Sequence, residues 1–255
     1  MQNYKQMNQF MKKRLLLISN STNYGEEYLG WPRKFITEFM QPTGIKDILF
    51  IPYAGVSLSS ESLQQSYDFY EQRVKTVFAT LGLNIYSIHH EKYPVDALKK
   101  AEAIAVGGGN TFHLVYEMHR HALMEPMRRR VIEGAHFMGW SAGANVACPT
   151  MKTTNDMPII EPASFNCLNL VPFQINPHYL DAHPEGHGGE TRQQRIEEFL
   201  VVNQEMTVVG LREASLLWVE DDAMKLLGRK PLRLFKFGKE PQEFAPGSDL
   251  SILCE

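Results

Sequence analysis

The chain is poor in cysteine, with three residues in 255, Cys148, Cys167 and Cys254. An odd count with no C-x-x-C pair argues against a disulfide framework and fits a reducing compartment. No apolar run approaches the roughly 20 residues that a membrane-spanning helix needs. Lys12-Lys13-Arg14 before Leu15–Ile18 has the charge order of a secretory leader. Its apolar stretch is too short, and no small-residue cleavage site follows. A cytoplasmic location is expected, without a membrane partner. Excess charge of one sign is also missing: 26 Lys and Arg stand against 29 Asp and Glu, a net −3. That balance leaves no electrostatic footprint for nucleic acid. Arg128-Arg129-Arg130 reads as a solvated helix face rather than a phosphate site. Neither G-x-G-x-x-G nor a P-loop lysine is present, so the nucleotide fingerprints are absent. There is no linker, repeat or low-complexity stretch. Residues 11–255 are therefore read as one domain. Residues 1–10 are read as a polar, disordered extension, with Met11 as an alternative start.

What is there is alternation. Short apolar runs at Leu15–Ser19, Ile48–Pro52, Asn84–Ile88, Ala103–Val106, His136–Met138 and Thr207–Leu211 read as strands. Between the second and third, Leu63, Tyr67, Tyr70, Val74, Val77, Phe78 and Leu81 recur at steps mostly of three and four. That spacing predicts a helix over Ser59–Leu81. Ala122–Glu133 and Glu190–Val202 read as further helices. Strand and helix in alternation give an α/β fold, a mostly parallel sheet covered on both faces. After Glu213 the runs Ser215–Glu220, Ala223–Leu227 and Leu232–Phe237 predict an antiparallel C-terminal meander.

Gly139-Trp140-Ser141-Ala142-Gly143 is the most informative stretch. It follows an apolar run and precedes small residues, the strand–turn–helix setting of a nucleophile elbow. Ser141 is then the candidate nucleophile, and the Ala142 N–H, at a helix start, a candidate oxyanion donor. Gly107-Gly108-Gly109-Asn110 follows another strand, and Gly109 or a neighbour is the candidate second donor. Enzymes built on parallel sheets work at the carboxyl ends of the strands. His178, after the apolar run Leu170–Phe173, is placed there as a general base. Two carboxylates compete to orient it. Glu213 stands two residues past a strand, and Asp156 gives the order Ser, Asp, His of the α/β-hydrolases. Position favours Glu213; both stay open. His183 and His187 are four apart, but Pro184 and Gly186 would spoil the helix that such a zinc pair needs, so no catalytic metal is expected.

Gly107–Phe112, Gly139–Asn145, Thr153–Pro158, Asn176–His178 and Pro184–Arg195, in that order, resemble the peptidase E family of aspartyl dipeptidases. The resemblance runs from about Arg14 into the C-terminal meander. It implies a flavodoxin-like sheet similar to that of class I glutamine amidotransferases, and it makes cyanophycinase a sibling. It implies a serine peptidase acting on dipeptides with N-terminal aspartate, with no cofactor. Ser141 is then the nucleophile, His178 the base, Asp156 or Glu213 the acid, and Arg192 the partner of the substrate aspartate. Arg212 stands where the family would have proline, which bears on Glu213. Small peptides are the expected partners, and the sequence leaves a homodimer open. Two other readings compete: a cyanophycinase-like peptidase, and a non-catalytic ligand-binding module of flavodoxin-like fold.

Overall fold

The computed structural model describes residues 13–181, 186 and 188–254. The extension expected at 1–10 and the pair His183 and His187 lie outside the described residues. Among the described residues, eleven strands form two sheets. The larger has the order β3-β2-β4-β5-β1-β8-β9. Its parallel part is β1 (Arg14–Ile18), β2 (Asp47–Ile51), β3 (Asn84–Ser87), β4 (Ala103–Val106) and β5 (His136–Trp140). The hairpin β8 (Ser215–Glu220) and β9 (Ala223–Gly228) extends it, with β8 antiparallel to β1.

Both faces of this sheet are covered, as near-continuous apolar strands require. Leu15, Leu17, Leu49, Ile51, Ile104 and Phe137 pack into one core cluster. Their neighbours in sequence, Leu16, Ile18, Ile48, Phe50, Ala105 and Met138, pack into another. The alternation is the pleat of the strand, with successive side chains on opposite faces. Helices α1 (Arg33–Met40) and α2 (Leu63–Ala79) supply Ile36, Phe39, Val74 and Phe78 to the second cluster. Helices α3 (Pro94–Lys100), α4 (Thr111–Arg120) and α5 (Met124–Ile132) supply Leu98, Leu114, Met118, Met127 and Val131 to the first. α2 starts where Ser62 accepts a hydrogen bond from the Gln65 N–H, an N-cap that satisfies one orphan donor.

The second sheet, β11-β10-β7-β6, was not expected as a separate layer. It comprises β6 (Gln174–Tyr179), β7 (Thr207–Arg212), β10 (Leu232–Lys236) and β11 (Gln242–Phe244). β6 and β7 are parallel, and the other pairs are antiparallel. The meander expected after Glu213 is thus divided. Its first two strands join the large sheet and its third joins β7. Hydrogen-bond partners decide this: Leu16 and Leu17 of β1 pair with Trp218 and Leu217, a contact some 200 residues apart in sequence. Helix α7 (Arg192–Val202) places Ile196 and Leu200 against Val208 and Phe235 of this sheet.

Candidate active site

The site forms where the two sheets meet. β5 ends at Trp140, and the four-residue helix α6 (Ala142–Asn145) starts at once, with Ser141 between them. Ser141 has φ 55° and ψ −115°. A non-glycine residue held there costs on the order of 1–3 kcal/mol, and surrounding structure must enforce it. Gly139 and Gly143 allow that enforcement. A Cβ on Gly139 would lie 2.2 Å from the Gly143 oxygen, and one on Gly143 would lie 2.0 Å from the Val106 oxygen. The Ser141 N–H donates to Ile18 O at 3.0 Å, tying the turn to β1.

Ser141 Oγ lies 3.0 Å from His178 Nε2. On the far side of the ring, His178 Nδ1 lies 2.7 Å from Glu213 Oε1. His178 is on β6, again with a positive φ of 53°. Glu213 sits in the two-residue turn between β7 and β8. Three side chains from three places in the sequence thus form one hydrogen-bonded line. Such a line can take the proton from a serine hydroxyl and hold the imidazolium that results.

The other expected residues are placed as follows. Asp156 does not reach the His178 ring through any hydrogen bond among the described residues. Its Oδ2 accepts from the Thr111 N–H at 2.8 Å, from Thr111 Oγ1 at 2.6 Å and from Thr154 Oγ1 at 3.1 Å. It therefore caps the start of α4, where a carboxylate meets free N–H groups and the positive end of the helix dipole. Gly108 and Gly109 line the same cavity of about 570 Å³ as Ser141, Asp156 and His178. Gly108 is the closer, since a Cβ there would stand 2.8 Å from Ser141 Cβ. Ala142 is buried in the first turn of α6, where N–H groups have no partner within the helix. Arg192 is the first residue of α7, behind a capping box made by Thr191 and Gln194. Its Nη1 donates to Asn155 Oδ1 at 2.6 Å. It lines a smaller cavity of about 150 Å³ next to the first, and Asp156 faces both. Burial pushes the Arg192 guanidinium below its ordinary value, as does nearby Arg195, while Asp156 opposes the shift. Arg212 points elsewhere: its guanidinium pairs with Asp181 and Glu243. Arginine in place of proline at this position therefore leaves the Glu213 contact intact.

Two supporting residues escaped the sequence reading. Ser19 and Asn20, at the end of β1, are wholly buried. Ser19 Oγ accepts from the His178 N–H at 2.9 Å and donates to Leu211 O at 2.7 Å. Asn20 Oδ1 accepts from the Ala214 N–H at 2.8 Å, next to Glu213. Polar residues directly after an apolar run were the available signal. On the β6 side, Asn155 donates to Pro177 O at 2.6 Å and accepts from Asn176 at 2.7 Å.

Among the described residues, no helix is long and apolar enough to cross a membrane. The profile of peptidase family S51 matches residues 15–227. A protein of Nostoc sp. named Peptidase E is 50% identical over 245 residues, covering 96% of this chain and 98% of its own. The Salmonella typhimurium protein of that name is 47% identical over 226 residues, with 89% and 95% covered. Among solved structures, a peptidase from an acI-B1 actinobacterium superposes with a TM-score of 0.66 at 17% identity, over 94% of this chain and 97% of that one. At that identity the superposition speaks for the fold alone. The profile match and the two close relatives carry the assignment: the chain belongs to peptidase family S51 and is a peptidase.

Proposed function

We propose that this peptidase is of the serine type and releases N-terminal aspartate from dipeptides. The observation that carries the reading is the line Ser141–His178–Glu213, with contacts of 3.0 and 2.7 Å. Its placement at a strained elbow supports the same role, because strain of this kind gathers at functional sites.

In this mechanism, His178 Nε2 takes the Ser141 proton as Oγ attacks the aspartyl carbonyl carbon. Glu213 holds the imidazole in the tautomer that leaves Nε2 free to accept, and then stabilises the imidazolium. The carbonyl π electrons move onto oxygen, where N–H groups of Ala142 and of Gly108 or Gly109 receive the charge. The tetrahedral centre collapses, the C–N bond breaks, and His178 gives its proton to the leaving amine. Water, deprotonated by His178, then attacks the aspartyl ester and restores Ser141.

The preference for aspartate rests on Arg192 and on the resemblance of the sequence motifs to the aspartyl dipeptidases. A carboxylate taken out of water needs a cation, and a guanidinium matches it with two parallel hydrogen bonds. Arg192 is half-buried beside the cavity, and Asn155 holds it there. The test is a set of hydrolysis rates on Asp-Leu, Glu-Leu, Asn-Leu and N-acetyl-Asp-Leu, for wild type and Ser141→Ala. Asp-Leu should be cleaved far faster than the others, and the folded Ser141→Ala protein should lose on the order of 10⁴–10⁶ in kcat. Near-normal turnover by that variant would overturn the serine mechanism. Equal rates on Asp-Leu and Asn-Leu would overturn the specificity.

A further inference from the structure

Away from Ser141, four side chains converge where α2 meets the end of β3. Asp68 and Glu71 are three residues apart on α2, and so share a helix face. His89 and His90 follow β3 on a single 3-10 turn, Ile88–His90. His89 Nε2 lies 2.9 Å from Asp68 Oδ1, and His90 Nε2 lies 3.5 Å from the same oxygen. His90 Nε2 is also 2.8 Å from Glu71 Oε2. The two rings lie 3.9 Å apart, centroid to centroid. None of the four lines the cavity that holds Ser141.

An ordinary surface ion pair joins one cation to one anion. Here two imidazoles aim the same kind of atom, Nε2, at a single carboxylate oxygen. The three ligating atoms lie within 4.8 Å of one another. A tetrahedral cation with bonds of about 2.0–2.2 Å keeps its ligand atoms roughly 3.3–3.6 Å apart. The observed 3.5 Å already matches that spacing and 2.9 Å falls a few tenths short, so small side-chain movements suffice.

The surroundings of His89 add a second, independent observation. Its side chain is only 2% exposed, so the ring is already held in place. Its Nδ1 lies 2.5 Å from Ser87 Oγ, and Ser87 in turn reaches Phe50 O at 3.4 Å. The serine hydroxyl has one proton. When that proton goes to Phe50 O, Nδ1–H donates to Ser87, and the Nε2 lone pair is left facing Asp68. Metal-bound histidines are oriented in this way, with the second nitrogen donating to an outer partner. Glu71 stands beside the site, with Oε2 on His90 Nε2 at 2.8 Å and Oε1 facing Lys75 Nζ at 3.7 Å.

We propose that Asp68, His89 and His90 form a site for a divalent late transition cation of the zinc class, with water completing its coordination. Two imidazoles with a carboxylate suit zinc, nickel or copper, whereas magnesium and calcium prefer all-oxygen sets. The site's role is structural. It fastens α2 to the segment after β3, at the edge of the large sheet. α2 also carries Tyr70, whose hydroxyl donates to Gly108 O at 2.8 Å and accepts from Trp140 Nε1 at 3.0 Å, next to Ser141.

The test uses untagged full-length protein, titrated with zinc chloride by calorimetry, with melting temperatures in zinc and in chelator. Wild type should bind one tight equivalent and melt higher in zinc, and magnesium should not compete. His90→Ala and Asp68→Asn, both at partly exposed positions, should lose the tight equivalent and the zinc-dependent rise in Tm. Both should keep turnover of Asp-Leu in chelator. Ser87→Ala should weaken binding by about 10–100-fold, the usual cost of removing an outer partner. His121→Ala should bind as wild type does, since that ring pairs with Glu117 at 3.2 Å, across a neighbouring cavity, and not with Asp68. The proposal fails if wild type takes up no zinc, if magnesium competes equally, or if His90→Ala and Asp68→Asn bind unchanged. It also fails if His121→Ala is the variant that loses the metal.

Discussion

At the scale of single residues, hydrogen bonds separate the two carboxylates near Ser141. Glu213 meets the imidazole, whereas Asp156 is occupied by three donors at the start of α4. Glu213→Gln should cost about 10⁴-fold in kcat, the loss seen when a triad carboxylate becomes an amide. Asp156→Asn should act mainly on KM and on the stability of α4, with a far smaller loss in kcat. Steady-state kinetics on Asp-Leu for both variants checks this, and a crippling Asp156→Asn beside a mild Glu213→Gln would reverse the roles. Cys148 gives a second residue-scale expectation. Burial pushes its thiol up to about 12, and its sulfur accepts the Ile175 N–H at 3.1 Å. The thiolate is the reactive form, so native Cys148 should resist iodoacetamide at neutral pH and react only after denaturation. Mass spectrometry of labelled peptides reads that directly.

At the scale of elements, what could be read from sequence was what is local. The elbow was legible because its glycines and its apolar strand lie within a few residues. α2 was legible from its apolar spacing, although the helix starts at Leu63 rather than at Ser59. β6 was not. The apolar run Leu170–Phe173 lies just ahead of it, and the strand itself is Gln174–Tyr179. Gln174 and Asn176 are buried there, and their side chains donate to Thr150, Thr153 and Asn155. A buried polar residue held through its amide N–H groups by distant partners looks in sequence like a loop residue. The division of the meander was hidden for a related reason, since the partner of β8 is β1 at the other end of the chain. Ser19 joins these elements, and its removal is a test of that joint. Ser19→Ala leaves the His178 N–H and the Leu211 carbonyl without this buried partner, a cost of about 1–3 kcal/mol. It should lower kcat by shifting His178 while leaving KM for Asp-Leu close to wild type. A fall in Tm with kcat unchanged would make Ser19 a structural residue only.

At the scale of the whole molecule, the site spans two sheets. Ser141 comes from the large sheet, His178 from the smaller one, and Glu213 from the turn that leads between them. In the proposed mechanism, activity therefore depends on how the smaller sheet is held together as well as on the side chains themselves. Arg212 is central to that. It lies on β7, pairs with Asp181 just after β6, and pairs with Glu243 on β11. The Asp181 carboxyl is held below its ordinary value, chiefly by the hydrogen bonds from Arg212; burial opposes this, and the charges of Arg212 and Arg233 add to the lowering. A carboxyl whose folded value lies below its unfolded one, about 3.9, adds stability that is fully present above the unfolded value. That contribution is lost as pH falls through the folded value. Asp181 is half exposed, so solvent screens the pair and the gain is modest. Asp181→Asn should accordingly melt below wild type at neutral pH. The gap should stay constant down to the ordinary carboxyl range, narrow below it, and vanish once the wild-type carboxyl is protonated. Because β6 carries His178, the variant should also lose Asp-Leu turnover at a lower temperature than wild type when both are assayed at neutral pH. Melting curves from neutral pH into acid, for wild type and Asp181→Asn together, measure the first effect. A gap that persists unchanged at the acid end would mean that Asp181 acts through packing and not through its charge on Arg212.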